Sequence, residues 1–322
     1  MRNKKKMSFD ELKRLVFEDD EVGKSNGLML EMGIDIDPEK HIVSFTDDHE
    51  CGVDTSLQFP LIDNKTIPGT TIYSIFRRND FLLQDGNPLI SALKGNMEDG
   101  WVIPKENKDK LLQRIRAIID LFCQKHQSDF TIVIPSGGNI NNMLRDMVGE
   151  IMGQYNPNNV MLDGVLEKIT VDEVEEEMGK PDSAFNKEYD TPWKRQMAWE
   201  KLRPCFQEMA ERNNGIFSYK MVRPVKYREV ITNALKFTDN ESLKEMITKM
   251  PGRDILIIDD SVTYGNTTRS AVNLVRETIS NIKSTVAIAK NYAPTSISVL
   301  TLFSVKQYGN GKKTAPTPRH KV

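Results

Sequence analysis

Residues 253–276, RDILIIDDSVTYGNTTRSAVNLVR, constrain the fold more than any other part of this chain. Ile255, Leu256, Ile257 and Ile258 form a short unbroken apolar run, the pattern of a strand buried on both faces of a parallel sheet. The run ends in two adjacent carboxylates, Asp259 and Asp260. A polar loop follows, Thr263-Tyr264-Gly265-Asn266-Thr267-Thr268, and then a helical pattern with Ala271, Leu274, Val275, Ile279 and Ile282 on one face. Gly265 can take positive φ and let the backbone approach an anion. Thr267 and Thr268 offer hydroxyls and amides at a helix start, where the dipole favours negative charge. Strand, loop and helix together form a phosphate cradle. The two carboxylates would repel a bare phosphate beside them. They suit a ligand that shows hydroxyls or a bound Mg²⁺ at that point and its phosphate one loop further on, the layout of a sugar phosphate.

A second strand–loop–helix unit reads the same way. Phe130 to Ile134 is apolar, Pro135-Ser136-Gly137-Gly138-Asn139 is small and polar, and a helix with Met143, Met147, Val148 and Ile151 is expected to open near Asn142. Amides of Ser136, Gly137 and Gly138 can hold a second anion. No basic residue occurs here before Arg145.

The segment Asp259-Asp260-Ser261-Val262-Thr263-Tyr264-Gly265-Asn266-Thr267 resembles the phosphoribosyl-pyrophosphate (PRPP) signature of the type I phosphoribosyltransferases: an apolar strand, two acids, two spacers and Thr-Thr-Gly-X-Thr. Tyr264 departs from it, standing where a second Thr is usual. The stretch around Leu89-Ile90-Ser91-Ala92-Leu93-Lys94 is similar to the entry helix of the competence-type (ComF-like) branch. Here Lys94 reads as a helix-end cation and Gly95 as the stop. The resemblance implies an α/β fold, a mostly parallel sheet flanked by helices, with an enlarged helical hood over the site. It also implies roles. Asp259 and Asp260 would hold the ribose hydroxyls directly or through Mg²⁺. Thr263, Tyr264, Gly265, Asn266, Thr267 and Thr268 would hold the 5′-phosphate. Ser136, Gly137, Gly138 and Asn139 would hold pyrophosphate, with Arg228 first and Lys226 second as hood cations. The implied activity is Mg²⁺-dependent phosphoribosyl transfer from PRPP to a nitrogenous acceptor. Salvage enzymes for 6-oxopurines carry Asp where this chain has Thr263, which argues against that substrate. Two alternatives use the same fold: a PRPP- or nucleotide-sensing regulator without catalysis, and an interaction protein of nucleic-acid metabolism or phage defence.

The expected organisation is an N-terminal extension over 1–69, a phosphoribosyltransferase-like domain over 70–305 with a helical insert over 170–214, and a basic tail over 306–322. Ser8 with Glu11 fits a capping box for a short helix near the start. The cluster Asp47-Asp48-His49-Glu50-Cys51 reads as solvated surface rather than a metal site. His41–Phe45, Thr70–Phe76, Val160–Leu166, Gly215–Val222 and Ser296–Val305 read as strands, Lys108–Cys123 as a helix, and 284–290 fits either. In the insert, Asp172, Glu173, Glu175, Glu176 and Glu177 form an acidic, solvated run, and Trp193, Trp199, Phe206 and Met209 an apolar patch.

Composition narrows the partners. A formal net charge of −2 over 322 residues gives no global drive toward nucleic acid, leaving only weak contact through the basic termini. No apolar run approaches the ~20 residues that span a bilayer. No apolar segment follows the basic start, so a secretory signal is not expected. Cys51, Cys123 and Cys205, odd in number and far apart, fit reduced thiols in a cytoplasmic protein. PRPP and a small-molecule acceptor are the expected ligands, and a homodimer is left open.

Overall fold

The computed structural model describes residues 33–37, 39–46, 53–55, 61–78, 87–94, 100–136, 138–262, 265–285 and 295–305. The readings at Ser8, 47–51, Gly95, Gly137, Thr263, Tyr264 and 306–322 lie outside them, as does 286–290.

The chain opens with β1 (Gly33–Asp37) and β2 (Ile42–Thr46), an antiparallel pair. Then come β3 (Val53–Thr55), β4 (Leu61–Asp63), β5 (Thr71–Arg78), α1 (Asn87–Lys94), α2 (Lys105–Lys125), β6 (Phe130–Val133) and α3 (Asn139–Tyr155). They are followed by β7 (Val160–Leu162), β8 (Leu166–Lys168), α4 (Val171–Gly179), α5 (Ala184–Glu188) and α6 (Pro192–Arg212). After two 3₁₀ turns, Tyr219–Met221 and Val225–Val230, the chain ends with β9 (Leu235–Phe237), α7 (Glu241–Thr248), β10 (Asp254–Val262), α8 (Asn266–Thr285) and β11 (Ser296–Val305).

The main sheet has seven strands in the order β3-β5-β11-β10-β6-β7, with β4 also on β5. From β5 to β7 every pairing is parallel, while β3 and β4 run antiparallel along the β5 edge. The fold is therefore α/β with a mostly parallel sheet flanked by helices. The central strand is β10, whose residues 255–258 are buried on both faces as their unbroken apolar run predicts. On one face Leu256 and Ile258 meet Leu111, Ile115 and Phe122 of α2 and Leu144 and Val148 of α3. On the other, Ile255 and Ile257 meet Ala271, Val272, Val275 and Ile279 of α8. The order of winding reverses between the parallel neighbours β10 and β6: the β6–α3–β7 crossover steps one way across the sheet and β10–α8–β11 the other. The carboxyl ends of strands at such a switch point form the crevice where ligands of open α/β sheets bind.

Two strand readings change. Val160–Leu166 is two strands, because Asp163 and Gly164 (φ +67°) turn the chain between β7 in the main sheet and β8, which pairs with β9. Gly215–Val222 is not a strand. It makes one bridge, Thr170 to Ile216, and then a 3₁₀ turn. Burial of alternate residues Phe217 and Tyr219 mimics a strand's period, but they pack into a helical subdomain rather than onto a neighbouring strand.

That subdomain, the hood, has its own apolar cluster spanning Ile169 to Ala234. Thr170 caps α4 in a reciprocal capping box with Glu173, and Thr191 caps α6 with Pro192 in the first turn. The acidic run is not all solvated: Glu173 also pairs with Lys236 at 2.6 Å. Phe206 is at the centre, edge-on to Trp199 and Phe217 with centroids 5.7 and 6.2 Å away. Trp193, expected in this patch, is instead 70 % exposed. Phe206→Ala is expected to cost the hood ~3–5 kcal/mol through the cavity it leaves. Hydrogen exchange would show it as early loss of protection over 171–212, with β10 amides still protected.

Candidate functional site

Adjacent strand residues point to opposite faces, and this separates the two aspartates. Asp259 turns toward α8, where its Oδ2 accepts from Thr268 Oγ1 at 2.5 Å and its Oδ1 from the amide of Asp260 at 2.8 Å. Asp260 turns toward α1 and the loop after β6. Its Oδ2 accepts from Lys94 Nζ at 2.5 Å and from Ser136 Oγ at 2.9 Å, and its Oδ1 accepts from Ser261 Oγ at 2.9 Å. Both residues are buried, Asp259 at 4 % and Asp260 at 8 % exposure.

The electrostatics of the pair follow. Burial, and then the charge of Asp260, push the Asp259 carboxyl well above the ordinary carboxylate range. Burial would raise Asp260 too, but the Lys94 charge and the hydrogen bonds from Lys94, Ser261 and Ser136 outweigh it and hold that carboxyl low. Asp260 is thus the ionised partner. A carboxyl raised on folding contributes stability that is complete below its unfolded value and is lost as pH rises through the folded value. Asp259→Asn is therefore expected to flatten the fall in melting temperature between acidic and mildly alkaline pH. At pH 8 it should melt higher than wild type by about 2–4 °C, the equivalent of ~1–2 kcal/mol in a domain of this size.

Just beyond the acids, Gly265 stands at φ +71° and its carbonyl accepts from the amide of Arg269 at 2.6 Å, which opens α8. The first amides of a helix have no intrahelical acceptor, and Gly265, Asn266, Thr267 and Thr268 all line one cavity. The hydroxyl of Thr268 is spent on Asp259 and is not a free phosphate donor, whereas Thr267 keeps its place beside the loop. Gly265 also approaches the turn after β4: a Cβ there would lie 2.8 Å from Thr66 Cγ2. Two arginines of α8 clamp that turn, Arg269 Nη2 on Thr66 O at 3.2 Å and Arg276 Nη2 on Gly69 O at 2.7 Å. Residues 61–69, read from sequence as part of an extension, thus pack against Gly265 and the start of α8.

The cavity measures about 530 Å³. Core residues Lys94, Pro135, Ser136, Asp259 and Asp260 line one side, and Lys168, Phe217, Tyr219, Lys220 and Arg228 the other. The two loops expected to share a ligand thus face the same space. The loop after β6 is shorter than expected. Its helix begins at Asn139, not near Asn142, because the extended Gly138 is already the N-cap, and neither Gly138 nor Asn139 lines the cavity. Gly138 instead gives passage to a side chain: a Cβ would sit 2.8 Å from Lys94 Cγ. Asn141 fixes the loop by donating to Ile134 O at 2.6 Å.

The cations change most. Lys94 is not merely a helix-end charge but a direct partner of Asp260. Lys226 is no part of the cavity; its ammonium lies 5.1 Å from the Tyr227 ring centroid. Arg228 lines the cavity, with its guanidinium donating to Val222 O at 3.1 Å and Lys220 O at 3.2 Å. Lys168 and Lys220 join it, both missed from sequence. The available signal was the lysine directly after the Phe217-Ser218-Tyr219 alternation, which puts a charge next to buried aromatic residues.

Among the described residues no cluster of three or more His, Cys, Asp or Glu could hold a metal by itself. Two carboxylates remain a fitting set for Mg²⁺, which commonly takes one or two carboxylates and completes its shell with ligand oxygens and water. No helix among the described residues is long and apolar enough to cross a membrane. No protein-family model matches the chain, and no curated protein matches it in sequence.

Proposed function

We propose that the protein is a type I phosphoribosyltransferase-like enzyme that transfers a phosphoribosyl group from PRPP to a nitrogenous acceptor. The observation that carries the reading is one cavity at the switch point of a parallel sheet, lined by a carboxylate pair, by a positive-φ glycine with a helix N-terminus just past it, and by a second strand–loop–helix unit. A 5′-phosphate fits the amides of 265–268. The ribose hydroxyls then fall to Asp259 and Asp260, which accept hydrogen bonds when ionised. Mg²⁺, held by the same carboxylates, would neutralise charge on the pyrophosphate.

The chain's own part in the reaction is positioning and charge stabilisation. Ser136 and Lys94 bracket the space beside Asp260 and offer donors to a leaving group as its negative charge grows. The protein would be tested by pyrophosphate release from PRPP with Mg²⁺ across a panel of purine, pyrimidine and pyridine bases. Release that depends on one base supports the transferase. PRPP binding by titration calorimetry without turnover on any base would replace it with a PRPP sensor, and absence of both would reject the reading.

A further inference from the structure

The cavity holds four cationic side chains, Lys94, Lys168, Lys220 and Arg228, against two carboxylates, one of which burial holds toward its neutral form. Three of them have distinct employments. Lys94 is on Asp260. Arg228 braces the backbone at Lys220 and Val222 and so fixes the 3₁₀ turn that presents Lys220. Lys220 projects from the hood into the same space as Lys94 from the core. Burial first, and then the nearby Lys94 charge, lower its affinity for a proton, while Asp260 acts the other way. Two ammonium groups thus enter the space around Asp260, Lys94 from the core in direct contact with it and Lys220 from the hood along the same cavity. Such a pair is undersatisfied until an anion enters between them. The loop after β6 supplies no cation of its own, and Arg145, the first basic residue beyond it, is tied to Asp146 and Asp163.

We infer that Lys94 and Lys220 form a phosphate-type anion subsite between core and hood, and that an anion filling it draws Lys94 away from Asp260. The contact between Lys94 and Asp260 is then a latch. While it is closed, the carboxylate needed for a sugar hydroxyl or a cation is occupied, and when a multiply charged anion takes over the ammonium, the carboxylate is released. Arg228 is a positioning residue for Lys220. That the anion is the pyrophosphate of PRPP rests on the phosphoribosyl reading; the subsite's preference for a multiply charged phosphate does not.

The test is titration calorimetry of the full chain with inorganic pyrophosphate in metal-free buffer. Wild type should bind. Lys220→Ala and the near-isosteric Lys220→Met should each weaken binding by about tenfold or more, the value of one charge-assisted contact. Lys220→Arg should retain most of it, and Lys187→Ala, an exposed hood lysine, should change nothing. Saturating ribose 5-phosphate should leave pyrophosphate binding in place, because it belongs in the loop at 265–268. Unchanged affinity in both Lys220 variants, or displacement of pyrophosphate by ribose 5-phosphate, would overturn the subsite. Equal, Lys220-dependent affinity for phosphate and pyrophosphate would uphold the anion subsite and reject its assignment to a leaving group. Lys220-dependent pyrophosphate binding with no PRPP binding at all would count against the transferase reading alone.

Discussion

Replacing both aspartates, Asp259→Asn with Asp260→Asn, is expected to weaken binding of PRPP with Mg²⁺ by about a hundredfold or more while leaving the protein folded. Two charge-assisted hydrogen bonds to ribose hydroxyls or to a metal-bound oxygen are lost, each worth ~1.5–3 kcal/mol. The variant should not lose stability in proportion. Asp259 is a buried carboxyl whose ionisation the fold resists, and an amide in its place can keep both contacts by reversing one: its carbonyl oxygen accepts from the Asp260 amide and its NH2 donates to Thr268 Oγ1. Asp259→Asn alone should bind less and melt higher at pH 8, which separates a functional group from a structural one, whereas Asp260→Asn gives up the Lys94 contact. The double variant also tests the latch. With Asp260 neutralised, Lys94 has no anionic partner in the resting protein, so inorganic pyrophosphate alone should bind at least as tightly as to wild type. Titration calorimetry with both ligands reads the two effects in opposite directions. PRPP affinity equal to wild type would remove the carboxylates from the site.

Much of the site's core was legible because it is local. The apolar run 255–258, the acids and the period of α8 lie within about 30 consecutive residues, and strand and helix periods are read over such windows. Gly265 at positive φ followed from its place between a strand and a helix start. What sequence did not disclose is set by tertiary approach. Lys94 is more than a hundred residues from Asp260, and nothing in its own helix distinguishes an ammonium on a carboxylate from one at a helix end. Among the basic residues after Ile216, Lys220 enters the cavity and Lys226 does not. They sit on successive 3₁₀ turns, too short to set a facing pattern. Ser136 was selected for its amide, whereas the structure uses its hydroxyl to join the two loops through Asp260. The strand expected at Gly215–Val222 failed for a related reason: alternate burial requires an apolar partner on one side, and here a helical cluster supplies it instead of a sheet.

Gly265→Ala is the second large expectation, and it divides into two causes that can be measured apart. The torsional cause is the left-handed φ of +71°, which costs an L-residue roughly 1–2 kcal/mol. The steric cause is the 2.8 Å approach of the new Cβ to Thr66 Cγ2. Thr66 cannot simply retreat, because its Oγ1 donates to Asp63 Oδ2 at 2.7 Å and its carbonyl accepts from Arg269 on the first turn of α8. The strain should therefore pass into the loop and tilt the amides of 266–268 off the phosphate position. Affinity for ribose 5-phosphate is expected to fall about tenfold or more, with stability down ~1–3 kcal/mol. Adding Thr66→Ser removes the obstructing methyl and keeps the hydroxyl on Asp63. The double variant should recover the steric share of both losses and leave the torsional share, whereas Thr66→Ser alone should bind almost as wild type does. If Gly265→Ala binds ribose 5-phosphate normally, the loop after β10 does not hold the ligand's phosphate. If it binds poorly and Thr66→Ser restores nothing, the backbone angle alone shapes the cradle, and the turn after β4 is a bystander.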